Sequence, residues 1–100
     1  MKIIACQNVL AVAEEELAST RAVVMDEESY QKIGSPSWLG GAAKIVLSSN
    51  RKYPAPGCYV MEGMGDAIRF AISAGIEMML VIAGDAVRHT AITAYHAEMR

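Results

Sequence analysis

The chain has 100 residues, which is enough for one packed domain and too few for two separate cores. Hydrophobic residues make up 53% of it and charged residues 20%, which excludes a disordered tail and indicates a globule with apolar surface left over for partners. The formal net charge of −2 excludes the basic patch that nucleic-acid-binding domains carry.

Two further patterns favour a protein of the cytoplasm. Apolar runs such as residues 78–83 are far shorter than the ~20 residues that a membrane span needs, and residues 1–8 make a poor secretory signal. Cys6 and Cys58 are too few for a disulfide framework. We therefore expect a cytoplasmic protein that binds neither membranes nor nucleic acid.

The first part of the chain predicts two strands with a helix between them. Residues 2–6 are typical of a short strand, and residues 21–26 form a second apolar run of strand length. Asn8 is a candidate N-cap for the helix. The apolar face of that helix is predicted to carry Leu10, Ala13 and Leu17. A second helix is predicted to begin at Pro36, because proline is tolerated in the first turn.

The second half of the chain predicts three strands. Residues 43–48 and 58–62 indicate two strands joined by the proline-containing loop 49–57, so that the second strand returns beside the first. Residues 77–83 are nearly all apolar, which is typical of a strand in the centre of a sheet.

Two helices alternate with these strands. The first is predicted to open at the turn 63–66 and to end at Gly75, since glycine is free to adopt a positive φ. The second is predicted to begin after Gly84 and Asp85. Its inner side is predicted to carry Val87, Ala91, Ala94 and Tyr95.

The order of these elements predicts a fold class. From residue 21 onwards the order is strand, helix, strand, strand, helix, strand and helix. Two successive strand–helix–strand units favour a ferredoxin-like α+β fold, in which a four-stranded antiparallel sheet carries helices on one face. We therefore predict one domain over residues 21–100, preceded by an N-terminal extension over residues 1–20 that holds a strand and a helix.

Two patterns that look like functional motifs have plainer explanations. Gly63 and Gly65 begin a glycine-rich turn, but Ile68 stands where a dinucleotide fingerprint has its third glycine, so we interpret the turn as a helix cap. His89 and His96 are about 10 Å apart along a helix, which is too far for one metal ion, and we interpret them as surface or interface residues. No nucleophile motif supports catalysis.

The loop at residues 51–58 is the most informative segment for function. Two prolines and a glycine stiffen this connection between two predicted strands. Arg51 and Lys52 would favour the thiolate of Cys58 if they lie close to it. The plainer alternative is that Cys58 packs as a small hydrophobic residue at the start of a strand.

Three stretches, residues 39–47, 56–63 and 65–75, resemble the bacterial microcompartment shell domain. In that family a helix that ends in small residues leads into a strand, and a pore loop and a returning strand follow. A Gly-Asp turn then opens a helix that ends in Ala-x-x-Ala-Gly. The resemblance covers residues 21–100 and is nearest to the subgroup with a Pro-Gly pore loop and a cysteine nearby.

The resemblance implies an architectural protein of a microcompartment shell rather than an enzyme. Six copies would form a cyclic hexamer that contacts other shell proteins, and small metabolites would cross its central pore. The pore would be ringed by the loop residues Tyr53, Pro54, Ala55, Pro56, Gly57 and Cys58. Cys58 thiolates from neighbouring subunits are implied to hold a shared iron–sulfur cluster.

The sequence also departs from the family pattern, and two alternative functions stay open. The family has a lysine at the end of its first helix that joins hexamers into sheets, and this sequence has none at that position, which corresponds to about Gly41. Residues 34–36 also interrupt the first helix. The first alternative is a small oligomeric ferredoxin-like module that binds an effector or has a regulatory role. The second is a small thiol enzyme in which Cys58 is the nucleophile and His89 or His96 is the base.

Overall fold

One six-stranded sheet organises the chain, and every pair of neighbouring strands in it is parallel. The computed structural model describes residues 1–34 and 40–100, so the helix start predicted at Pro36 lies outside the described residues. The strands are β1 (Lys2–Cys6), β2 (Ala22–Asp26), β3 (Ala43–Leu47), β4 (Tyr59–Met61), β5 (Met78–Ile82) and β6 (Glu98–Met99). Across the sheet they follow the order β4-β3-β2-β5-β1-β6.

Helices cover both faces of the sheet. They are α1 (Glu14–Ser19), α2 (Glu27–Ile33), α3 (Met64–Ser73) and α4 (Asp85–Tyr95), with a short 3-10 turn at Val9–Ala11. Met64 of α3 and Ala91 of α4 are buried in the core on one face. Leu17 of α1 and Tyr30 of α2 pack against the core on the other face. The architecture is therefore a three-layer α/β/α sandwich.

The central strands are apolar on both sides because both of their faces are covered. Val24 and Val81 face the core under α3 and α4, whereas Val23 and Leu80 face the core under α1 and α2. All four side chains are fully buried. Near-continuous apolar runs are typical of parallel strands buried in this way.

The prediction of a four-stranded antiparallel ferredoxin-like sheet with helices on one face is wrong. The structure is an α/β fold, and the error lies in strand direction. The connection 48–58 does not fold as a hairpin but carries the chain back, so that Ile45, Val46 and Leu47 pair in parallel with β4. A connection of this length can close either arrangement, and hydrophobic periodicity does not report strand direction.

Residues 1–20, predicted as an N-terminal extension, contribute directly to this sheet. The strand predicted at Lys2–Cys6 is confirmed as β1, which lies between β5 and β6. Asn8 is confirmed as a cap, since its side-chain oxygen accepts a hydrogen bond from the Leu10 amide at 3.0 Å. It caps the 3-10 turn, however, and α1 begins separately at Glu14. The predicted apolar face is therefore wrong at Leu10 and Ala13, which are exposed, whereas Leu17 packs against the core.

Several other elements match their predictions. The strand at 77–83 is confirmed as a central strand, because β5 lies between β2 and β1. Gly75 follows the end of α3 with a φ of 70°. The inner side of α4 is confirmed at Val87, Ala91 and Tyr95 and wrong at Ala94, which is exposed.

Charged residues connect the two ends of the chain. The Arg100 amide donates to the Ala5 carbonyl oxygen at 2.9 Å, which continues the edge pairing of β6 with β1. The Arg100 guanidinium donates to the Glu16 carboxylate at 2.5 Å, and Lys2 approaches the same carboxylate at 3.4 Å. The hydrogen bond from Arg100 is the main reason that the pKa of Glu16 is lowered from 4.5 to about 2.

This network predicts a pH dependence of stability. A carboxyl whose pKa is lower in the folded state stabilises the fold above its unfolded pKa, and that contribution is lost as the pH falls through the folded pKa. We expect the free energy of unfolding of the wild type to fall as the pH is lowered from about 4.5 to 2. The free energy of unfolding of Glu16→Gln should fall less steeply in this window. Urea unfolding from pH 2 to 6 measures this, with the exposed Glu15→Gln as control. Identical slopes for Glu16→Gln and the wild type would contradict it.

Candidate functional site

The carboxyl ends of the six parallel strands meet at one edge of the sheet, and the topology creates a crevice there. The chain leaves β2 through α2 to reach β3 on one side, and it leaves β5 through α4 to reach β6 on the other. Because β2 and β5 are neighbours, their outgoing connections diverge. Open α/β sheets bind ligands at such a topological switch point.

Asp26 joins the two sides of this switch point. It ends β2 and is the N-cap of α2, where its carboxylate accepts a hydrogen bond from the Ser29 amide at 2.8 Å. Its other carboxylate oxygen accepts from the Gly84 amide, also at 2.8 Å, directly after β5. Burial alone would raise the pKa of Asp26, but these hydrogen bonds outweigh it and hold the pKa below the usual 3.8.

A cleft of about 500 Å³ opens beside Asp26 on the side of β3 and β4. We call it the acidic cleft, because its described lining contains four carboxylate residues and no Lys or Arg. The lining residues are Asp26, Glu27, Glu28, Leu47, Ser48, Ser49, Glu62, Gly63, Met64, Ala86, Val87 and Thr90. The volume falls within the range typical of small-molecule sites.

Glu27 and Glu62 define the charge of the acidic cleft. Glu27 accepts a hydrogen bond of 2.6 Å from the buried hydroxyl of Ser48. Glu62 is exposed and makes no ion pair among the described residues. Leu47 and Met64 add buried apolar surface to the same cleft. The arrangement therefore offers carboxylate and hydroxyl oxygens beside an apolar wall.

Two helices begin at this edge without a side-chain cap. Gly63 precedes α3 and Gly84 precedes α4, and neither can supply a capping oxygen. Such helix starts usually attract phosphate groups. A phosphate entering the acidic cleft, however, would meet the carboxylates of Glu27 and Glu62, and the part of the lining that the structure describes has no cation to balance them. This charge disfavours nucleotides.

A second cleft of about 440 Å³ opens on the other side of the switch point. We call it the polar cleft, because amide, hydroxyl and charged side chains make up much of its lining. The lining residues are Gln7, Asn8, Val9, Glu28, Ser29, Lys32, Ile33, Ala83 and Gly84. Lys32 forms an exposed ion pair of 3.3 Å with Glu28, which lines both clefts.

The predicted pore loop lies in the connection between β3 and β4, beside α2. The ring of Tyr53 packs edge-on against Tyr30, with 6.1 Å between ring centroids, and Gln31 reaches its hydroxyl at 3.4 Å. Ala55 is buried, and its carbonyl oxygen accepts from the Cys58 amide at 3.0 Å. The other predicted loop residues, Pro54, Pro56 and Gly57, are exposed.

The predicted metal and thiol residues do not come together in the described part of the chain. Cys58 is half-buried, and no hydrogen bond joins it to His89 or His96, which are both exposed on α4 or its end. Within residues 1–34 and 40–100, no three His, Cys, Asp or Glu side chains are grouped closely enough to hold a metal ion. Burial raises the pKa of the Cys6 thiol to about 11, although Arg88 opposes the shift, so this thiol stays protonated at neutral pH.

No protein-family model matches the chain, and no significantly similar sequence was found among curated proteins. The resemblance to the microcompartment shell domain therefore gains no support from relatives. None of the described helices is long and apolar enough to span a membrane.

Sequence analysis did not predict that the residues of the acidic cleft form one site. Each of the four polar residues concerned lies at or directly after the end of a strand; they are Asp26, Glu27, Ser48 and Glu62. A polar residue at the carboxyl end of a strand was the sequence pattern that could have indicated the site. It indicates a shared site only when the strands are known to be parallel, because antiparallel neighbours would place their ends at opposite edges.

Proposed function

We propose that the protein binds a small organic cation in the acidic cleft. The observation that carries the proposal is a cleft at the switch point whose lining, within residues 1–34 and 40–100, has four carboxylates and no Lys or Arg. Open α/β sheets bind their ligands at this position. The charge of the lining then selects the class of ligand, because an anion would be repelled there and an organic cation attracted.

The lining also favours a flat cation with an apolar ring. Amidinium and guanidinium groups match carboxylates through two parallel hydrogen bonds, which a point charge cannot form. The carboxylates of Glu27 and Glu62 offer such acceptors, and Leu47, Met64 and Val87 offer apolar contact for a ring. The proposal corresponds to the effector-binding alternative from the sequence, placed on an α/β fold.

Calorimetric titration with benzamidine, an aromatic amidine, tests the proposal. We expect binding by the wild type and about fivefold weaker binding by Glu62→Gln, since an exposed ion pair contributes about 1 kcal/mol. Glu62→Gln should leave the fold intact, because this carboxylate makes no ion pair among the described residues.

The matched control is Glu77→Gln, an exposed carboxylate next to the amino end of β5, at the opposite edge of the sheet. It should bind benzamidine as the wild type does. Adenosine monophosphate, an anion with a ring, should bind more weakly than benzamidine. No binding of benzamidine, or equal losses in both variants, would refute the proposal.

The shell-protein function, the hexamer with a metabolite pore and the shared iron–sulfur cluster at Cys58 stay predictions, because no observation tests them. The ferredoxin-like fold predicted together with them is wrong. The thiol-enzyme alternative also stays a prediction, and no hydrogen bond joins Cys58 to either histidine among the described residues.

A further inference from the structure

We infer that the ligand continues from the acidic cleft across the Asp26–Gly84 contact into the polar cleft, and that it is a zwitterion with a cationic head and a carboxylate tail. The inference rests on the proposed function, which concerns the head alone. It adds a second subsite and a second charge of the opposite sign.

The two clefts are neighbours that share a wall. Asp26 lines the acidic cleft and Gly84 lines the polar cleft, and the hydrogen bond between them spans only 2.8 Å. Glu28 lines both clefts. A ligand long enough to pass over this contact would therefore occupy both clefts.

The polar cleft offers side-chain amide and ammonium donors, which the described lining of the acidic cleft does not contain. The Asn8 side-chain oxygen is occupied by the Leu10 amide, which leaves its NH2 group to donate. Gln7 has no side-chain hydrogen bond among the described residues, so its NH2 group is also available. Lys32 adds an ammonium group. Donors of this kind match the oxygen atoms of a carboxylate.

Lys32 can turn to a ligand at small cost. Its ion pair with Glu28 has both side chains more than 70% exposed, and exposed pairs of this kind contribute little to stability. A ligand carboxylate could therefore take the place of Glu28 on the ammonium group. Glu28 would then be left to face the cationic head in the acidic cleft, where it is also a lining residue.

Two matched probes test the inference: benzamidine bearing a flexible chain that ends in a carboxylate, and the same molecule ending in a primary amide. In calorimetric titrations we expect the carboxylate probe to bind the wild type about fivefold more tightly than the amide probe. In Lys32→Gln the ratio of the two affinities should fall to about one, and Lys32→Arg should restore it. Lys52 is exposed and lines neither cleft, so Lys52→Gln should keep the wild-type ratio.

The outcomes separate the two proposals. Benzamidine binding without any gain from the carboxylate, or with a gain that survives in Lys32→Gln, would overturn the inference and leave the cation site standing. A protein that binds neither benzamidine nor the two probes would overturn both.

Discussion

Leu80→Ala is expected to lower the free energy of unfolding by about 3 kcal/mol, because truncating a buried leucine removes apolar contacts and leaves a cavity. Leu80 lies in the middle of β5 and is fully buried. It stands beside Ile4 on one neighbouring strand and Val23 on the other. Strands on both sides and a helix layer above leave little freedom for the site to collapse.

Urea unfolding at neutral pH measures this loss, and Leu10→Ala is the matched control. Leu10 is 88% exposed, so the same truncation there should change stability by less than about 0.5 kcal/mol. Similar losses in the two variants would contradict the central position of β5. A smaller loss of free energy of unfolding in Leu80→Ala than in Leu10→Ala would contradict that position more strongly.

Asp26→Ala is expected to lower the free energy of unfolding by about 2–3 kcal/mol, because it removes the cap of α2 and leaves the Gly84 amide without its partner. One carboxylate serves both amides, each at 2.8 Å. The loss should therefore exceed that of an ordinary helix cap.

Asp26→Asn separates the two contacts. The Ser29 and Gly84 amides donate to different carboxylate oxygens of Asp26, and an asparagine in the same position has an NH2 group in place of one of them, so it keeps one hydrogen bond and loses the other. We expect a loss between those of Asp26→Ala and the control Asp66→Asn, whose exposed pair with Arg69 contributes about 0.5 kcal/mol. If the Asp26 variants lose no more free energy of unfolding than Asp66→Asn, Asp26 does not stabilise the fold by joining α2 to the end of β5. Thermal or urea unfolding of the three variants decides between these outcomes.

The sequence predicted where most helices and strands lie because local patterns report them. The apolar run of β5 indicated a central strand, and the structure has it between two neighbours. Gly75 ended α3 as its conformational freedom suggested, with a φ of 70°. These signals act over a few residues and depend little on what packs against them.

Strand direction could not be obtained in the same way. Side chains alternate between faces in parallel and antiparallel strands alike, so periodicity does not distinguish them. Lys2–Cys6 was identified as a strand but was left outside the predicted sheet, whereas it pairs with β5 and β6. Placing it required a pairing between residues more than 70 positions apart in sequence, such as Ile4 with Leu80.

The candidate site was not predicted, because the predicted strand directions were wrong. Asp26 and Glu62 end strands that an antiparallel sheet would point in opposite directions, so their carboxylates were never considered together. In the parallel sheet both line the acidic cleft. The predicted site had instead concentrated on Cys58, whose chemistry depended on subunits rather than on this chain's own neighbours.

The most direct test of the cation site is to follow backbone amide signals by NMR while benzamidine is titrated into the wild-type protein. We predict that the amides of Ser48, Ser49, Gly63 and Thr90 shift together with one dissociation constant, because all four residues line the acidic cleft. Amides at the opposite edge, such as that of Glu77, should stay unchanged. Shifts confined to other surfaces, or no shifts at all, would contradict a ligand site at the ends of β2 and β5.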